Sequence, residues 1–253
     1  LMGFIPFITL SVMKIYCHKH YEECKIAIKL HWDKLLAKKM VSFAGWNLFS
    51  TAVMMFSKQG QGVILNMFFG TSVNAAQGIA TQISGQLGAF SNNMQKAVNP
   101  VIVKSEGAQN KIIVKKLVFT SSKLSYSLLA ILAIPFMLEM PYVLNLWLTN
   151  IPPFAVIFAQ LILLMNLINQ MTRPLVTAIG ATGDIKWYSI LNSILFASVL
   201  IISYLMFNLG YPAYTIYFIF VIVHSIESFI LIPYFSKKVN NISPFSYFKE
   251  VVF

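Results

Sequence analysis

Six apolar stretches, each long enough to cross a bilayer, constrain this chain more than any other feature. They lie at 43–69, 74–97, 117–140, 154–178, 187–208 and 213–235. A helix rises 1.5 Å per residue, so about 20 residues span roughly 30 Å of hydrocarbon. The fold class that follows is all-α: a polytopic membrane protein with a six-helix transmembrane lobe at 43–235. Composition points the same way. The 253 residues are 57% hydrophobic and 11% charged, against about 25% charged for a soluble domain, and mean hydropathy is +0.70.

The lysines test the segmentation. A net charge of +11 would suggest nucleic acid in a soluble protein, but here the charge lies between the apolar runs. Connections 17–42, 98–116, 179–186 and 236–253 hold most of it, including Lys104, Lys111, Lys115, Lys116, Lys186, Lys237 and Lys238. Connections 70–73, 141–153 and 209–212 hold no Lys or Arg. That alternation is the positive-inside pattern of six crossings with both ends of the lobe cytoplasmic, and nucleic acid is not expected as a partner. Residues 1–16 read as the end of a helix whose start lies upstream. The stretch 17–42 reads as a basic connection holding an interfacial amphipathic helix at 26–36, and 236–253 as a short cytoplasmic tail.

Two of the six segments break the rules of the bilayer, where polar groups are costly and face a bundle interior or water. In 43–69, Asn47, Ser50, Thr51, Lys58, Gln61 and Asn66 fall on one side of the helix at 100° per residue. Gly60 and Gly62 weaken the helix beside Lys58 and suggest a kink or a short unwound stretch. In 74–97, Asn74, Gln77, Gly78, Thr81, Gln82, Gly85, Gly88, Asn92 and Gln95 share one face, with Ala76, Ala80, Ile83 and Leu87 opposite. Two explanations stand for that stripe: it lines an aqueous cavity, or its small residues pack against a neighbouring helix. Lys58 is either a fixed cation facing the cavity or a side chain snorkelling to an interface.

His224 and Glu227, three apart on the last segment, could relay protons or couple an ion; Glu227 could equally pair with a lysine or be hydrated. Cys17, His18, His20 and Cys24 are ligand-capable, but their spacing matches no usual zinc pattern. With only two cysteines there is no disulfide framework. No phosphate-binding glycine loop, serine elbow or acid pair is present, so neither catalysis nor a metal or other cofactor is expected.

Four stretches carry a family resemblance. They are Ser42-Phe43-Ala44-Gly45-Trp46-Asn47-Leu48-Phe49, Phe68-Phe69-Gly70-Thr71-Ser72-Val73-Asn74-Ala75-Ala76-Gln77-Gly78-Ile79-Ala80, Ala97-Val98-Asn99-Pro100-Val101-Ile102-Val103-Lys104-Ser105 and Leu144-Asn145-Leu146-Trp147-Leu148. Together they resemble the C-terminal half of bacterial lipid-linked polysaccharide repeat-unit flippases, within the multidrug/oligosaccharidyl-lipid/polysaccharide exporter superfamily. The resemblance implies two six-helix lobes around a central cavity, with this chain supplying the second lobe and inactive without the first. It also implies alternating-access transfer of undecaprenyl-diphosphate-linked oligosaccharide across the bacterial inner membrane, with the polysaccharide polymerase machinery as a further partner. Lys58 would then engage the diphosphate, and Gln61, Asn66, Asn74, Gln77, Thr81, Gln82 and Asn92 the sugar. The alternatives are a cation-coupled drug exporter using His224 and Glu227, a membrane-embedded polysaccharide-assembly enzyme, and a scaffold without transport activity.

Overall fold

The computed structural model describes residues 4–21 and 33–252, and among these it is all-α with no strand. The chain divides into two compact units, Leu1–Ser42 and Phe43–Phe253. In the first, α1 (Phe4–His20) ends in a basic turn of His18, Lys19 and His20, which complements the negative end of a helix dipole. Helix α1 thus extends past residue 16 into the expected connection. Most of the expected interfacial helix, 26–32, and Cys24 lie outside the described residues. Asp33 caps the next helix, its Oδ1 accepting from the N–H groups of Leu35 and Leu36 at 2.8 and 3.2 Å.

That next helix, α2 (Lys34–Phe69), runs without interruption for 36 residues. Gly60 and Gly62 therefore do not break it, contrary to the sequence reading. Gly60 allows a close approach instead: a Cβ there would lie 2.7 Å from Leu200 Cδ1. Gly70, at φ 80°, is the single residue between α2 and α3 (Thr71–Gly107), and so sharp a reversal needs the left-handed conformation glycine adopts freely. Asn110 caps α4 (Lys111–Leu138) by accepting from Ile113 N–H at 3.2 Å. Lys111 Nζ donates to the buried Glu106 carboxylate across the same turn. A short helix α5 (Met140–Trp147) occupies the connection expected at 141–153. Then follow α6 (Ala155–Ala181), α7 (Lys186–Asn208), and a final crossing built from α8 (Thr215–Ile226), a π turn (Glu227–Leu231) and α9 (Ile232–Asn240).

Five helices among the described residues are long and apolar enough to cross a membrane, not six. The shortfall is α3. It corresponds to the 74–97 segment and is long enough at 37 residues, but its amides and glycines take it below the apolarity of a lipid-facing span.

Helix α6 is the hub of the second unit, packing against α3, α4, α8 and α9. Burial falls into two apolar clusters. One lies toward the uncharged connections and includes Ala76, Ala80, Leu129, Phe158, Leu163 and Tyr217. The other lies toward the basic connections and includes Ile102, Val118, Leu175, Ile179, Phe235 and Tyr247. In lipid, where hydrocarbon is as apolar as leucine, such clusters stabilise through close packing rather than transfer from water.

The end of the chain is not a loose polar tail. Helix α10 (Pro244–Val252) packs against α4 and α9. Tyr247 is fully buried, with its ring edge-on to Phe119 at 5.1 Å. Its hydroxyl donates to the Met171 carbonyl and lies 2.6 Å from Ser122 Oγ. Burial holds this phenol well above the ordinary tyrosine range, the Ser122 contact opposing the shift.

Candidate functional site: a polar belt between two apolar clusters

Between the two apolar clusters, every long helix of the second unit turns polar side chains inward. Helix α4 contributes Ser121, Ser122 and Ser125; α6 contributes Gln170 and Thr172; α7 contributes Ser189, Asn192 and Ser193; and the π turn contributes Glu227 and Ser228, all buried. Hydrogen bonds knit the belt across helices. Ser91 Oγ donates to the Ser125 carbonyl at 2.9 Å, Gln95 Nε2 to Ser125 Oγ at 3.3 Å, Asn166 Nδ2 to Ser84 Oγ at 2.6 Å and Thr172 Oγ1 to Ser228 Oγ at 3.1 Å. Along the axis of α2 (Lys34–Phe69), Lys58 is about 17 Å from Phe69 at 1.5 Å per residue; a hydrocarbon layer about 30 Å thick that began at Phe69 would have Lys58 near its middle.

Two cavities open into this belt and share Met54, Asn169, Arg173 and His224. One, of about 380 Å³, is lined by Lys58, Gln61, Gln77, Thr81, Tyr217 and Phe220 among others. The other, of about 370 Å³, is lined by Asn47, Thr51, Tyr188, Asn192 and Glu227 among others. The structure therefore brings Lys58, Gln61, Gln77, Thr81, His224 and Glu227 to one connected space. Asn66 and Asn74 line an adjoining open groove with Lys58 and Gln77. Gln82 and Asn92 are exposed on α3 and line none of these spaces.

The α3 stripe divides between two environments. Gln95 turns inward, while Asn74, Thr81, Gln82, Gly85 and Asn92 are left uncovered by the described helices. A Cβ at Gly78 or Gly85 would meet nothing within 4 Å, so neither glycine serves close packing here. Gly88 has Asn92 and Asn166 beside it. An amide-bearing surface at membrane depth needs water or polar partners outside the described helices.

The cations are Lys58 and Arg173. Both are exposed to the cavities, and neither side-chain nitrogen has a hydrogen-bond or ion-pair partner among the described residues. Glu227, 6% exposed, lines the second cavity with Arg173 but binds elsewhere: the Tyr188 hydroxyl donates to Oε1 at 3.4 Å, and His224 Nδ1 lies 3.2 Å from Oε2. Glu227 is thus buried and hydrogen-bonded, neither solvated at an interface nor paired with Lys58. It also begins the π turn, a local widening that often marks functional positions.

Sequence reasoning missed Arg173, yet its signal was present. It is the chain's one arginine among 19 Lys and Arg, and it falls inside an apolar segment. A charge at that depth points by default to function. Pro174 follows it, removing the N–H that would bond the Gln170 carbonyl and loosening the helix at this turn. Cys17, His18 and His20 form no metal-holding group, nor does any other set among the described residues. No family model, curated protein or solved structure matches the chain.

Proposed function

We propose that this chain is part of a transporter that carries a diphosphate-linked, sugar-bearing lipid across the bacterial cytoplasmic membrane. The single observation that carries the reading is the pair of unpartnered cations, Lys58 and Arg173, facing one cavity at mid-membrane depth. A cation facing a cavity without an ion-pair partner favours an anionic ligand, Glu227 being held instead by Tyr188 and His224, and a guanidinium can grip phosphate through two parallel hydrogen bonds. The open amide and hydroxyl face of α3 supports the same reading. A sugar headgroup entering hydrocarbon loses its hydrogen bonds to water, at several kcal/mol per unsatisfied group, and a lining of Asn, Gln and Thr replaces them. Substrate sites at the midplane, reached alternately from each side, are the usual design of such transporters. The resemblance to polysaccharide repeat-unit flippases gives the substrate its class, undecaprenyl-diphosphate-linked oligosaccharide.

Complementation tests this. With the complete protein expressed in cells lacking their own copy, Arg173→Ala and Lys58→Ala should each reduce surface polysaccharide at least tenfold while the protein stays in the membrane at normal level. Undiminished polysaccharide in both variants would overturn the assignment.

A second reading, the cation-coupled drug exporter, draws on the buried Tyr188–Glu227–His224 set. There Glu227→Gln should abolish gradient-driven efflux of small organic cations; efflux that persists removes this alternative.

A further inference from the structure

Three of the buried polar atoms left without a close hydrogen-bond partner line the Lys58 cavity; Gln170 Nε2, Asn192 Oδ1 and Ser193 Oγ are others in the belt, and none of those three residues lines that cavity. Gln61 Nε2, Gln77 Oε1 and the Tyr217 hydroxyl make no hydrogen bond of good geometry, although Gln61 is 7% and Tyr217 1% exposed, and the Gln61 amide lies next to the Tyr217 hydroxyl. Buried polar side chains are nearly always partnered, and an exception calls for an explanation. Neighbours at the same depth obey the rule: Ser57 Oγ donates to the Phe196 carbonyl at 2.8 Å, and Asn166 to Ser84. Gln61, Gln77 and Tyr217 come from three different helices, α2, α3 and α8, and all line one space.

Their chemistry specifies the occupant. The Gln61 amide nitrogen only donates, Gln77 Oε1 only accepts, and the Tyr217 hydroxyl does both. A phosphate oxygen would satisfy the donors but be repelled by Gln77 Oε1. A ligand that fits all three must both donate and accept, and be neutral, as the hydroxyls of a saccharide are. Phe196 and Phe220 line the same cavity and offer apolar surface to the C–H face of a sugar ring. Gln61 is one helical turn from Lys58 on α2, so a headgroup with its diphosphate on the cations reaches these residues with its first sugar.

We propose that Gln61, Gln77 and Tyr217 form a saccharide-reading subsite, separate from the Lys58 and Arg173 cations that hold the diphosphate. The proposal rests on the substrate class given above. Breaking one neutral hydrogen bond of this kind typically weakens binding about three- to tenfold.

The test compares two lipids on the complete protein in lipid nanodiscs. One is the polyprenyl-diphosphate oligosaccharide pool extracted from the producing cells; the other is bare polyprenyl diphosphate. The wild type should bind the sugar-bearing lipid at least tenfold more tightly. Tyr217→Phe and Gln61→Leu should each cut that preference about three- to tenfold and leave affinity for the bare lipid unchanged. Arg173→Ala should weaken both lipids alike. Gln77→Leu, which alters a less buried side chain, is the additional variant should either of the others fail to fold. A wild type that binds both lipids equally, or folded variants that keep the full preference, would overturn the subsite and leave the substrate reading standing. Binding of neither lipid by the wild type would overturn both.

Discussion

Removing one oxygen atom from Tyr247 should loosen the whole bundle. In Tyr247→Phe the ring keeps its contacts with Phe119 and with Phe248, at 5.1 and 5.5 Å, so the packing term is unchanged. What goes is the hydroxyl that donates to the Met171 carbonyl and sits 2.6 Å from Ser122 Oγ. A net hydrogen bond contributes about 1 kcal/mol, and a buried partner left unsatisfied costs about 1–3 kcal/mol. Ser122 is 0% exposed, and its Oγ has no other hydrogen bond among those described, so the substitution should cost about 2–3 kcal/mol. For a chain of this length that lowers the melting midpoint by roughly 5–10 °C. The purified protein in detergent, followed by thermal unfolding, supplies the assay, with Ser122→Ala and the double variant completing a cycle. Once Ser122 is alanine no hydroxyl is stranded, so Tyr247→Phe should cost about 1 kcal/mol less in that background. Strict additivity, or a single-variant loss under about 0.5 kcal/mol, would refute the claim that α10 is bolted into the bundle through this contact.

Cysteines at Thr81, Gln82 and Gly85 in the complete protein should react with a membrane-impermeant maleimide, and those at Ala76 and Ala80 should not; the reverse pattern would mean that α3 turns its amides inward. Leu163→Ala should cost about 1–3 kcal/mol, less than in a water-soluble core because the transfer term is missing in lipid. Ile131→Ala, at a position 70% exposed, should be close to neutral in the same unfolding titration. Ser57→Ala, which strips the bond to the Phe196 carbonyl that ties α2 to α7, should cost about 1 kcal/mol. Arg173→Lys keeps the charge but loses the planar fork. Export should fall between wild type and Arg173→Ala, and an unchanged rate would mean that charge alone suffices there.

The cores of the long helices were legible because lipid punishes charge so heavily that apolar runs announce themselves, but α2, α3 and α4 run on into the polar stretches expected as connections, to Lys34, Gly107 and Lys111, where the apolar signal stops and the helix does not. Lys58, Gln61, Gln77 and Thr81 were legible for the same reason, as polar side chains where none is expected. Arg173 broke that rule too, but the alternation of basic and uncharged loops drew attention away from a charge inside a helix. The glycines misled: Gly60 suggested a weak point, whereas its missing side chain makes room for Leu200. Tyr247 left no local trace. Its partner Ser122 is 125 residues away, and no periodicity in a short terminal segment reports a contact of that span. The division of α3 into covered and uncovered residues is likewise tertiary, since the helical wheel fixes directions but not which directions have neighbours.

Oily contacts and hydrogen bonds resist sliding differently, and here they are stacked. The apolar blocks at either end interlock without direction and open only by creating voids, while the wet seam between them can trade one polar partner for another. Two departures from regular helix lie side by side. Pro174 removes one backbone hydrogen bond from α6 and the π turn widens the last crossing, and the bond between Thr172 and Ser228 ties these two places together. Both departures from regular helix border the space around Arg173, so a change in either one's geometry reshapes that space directly.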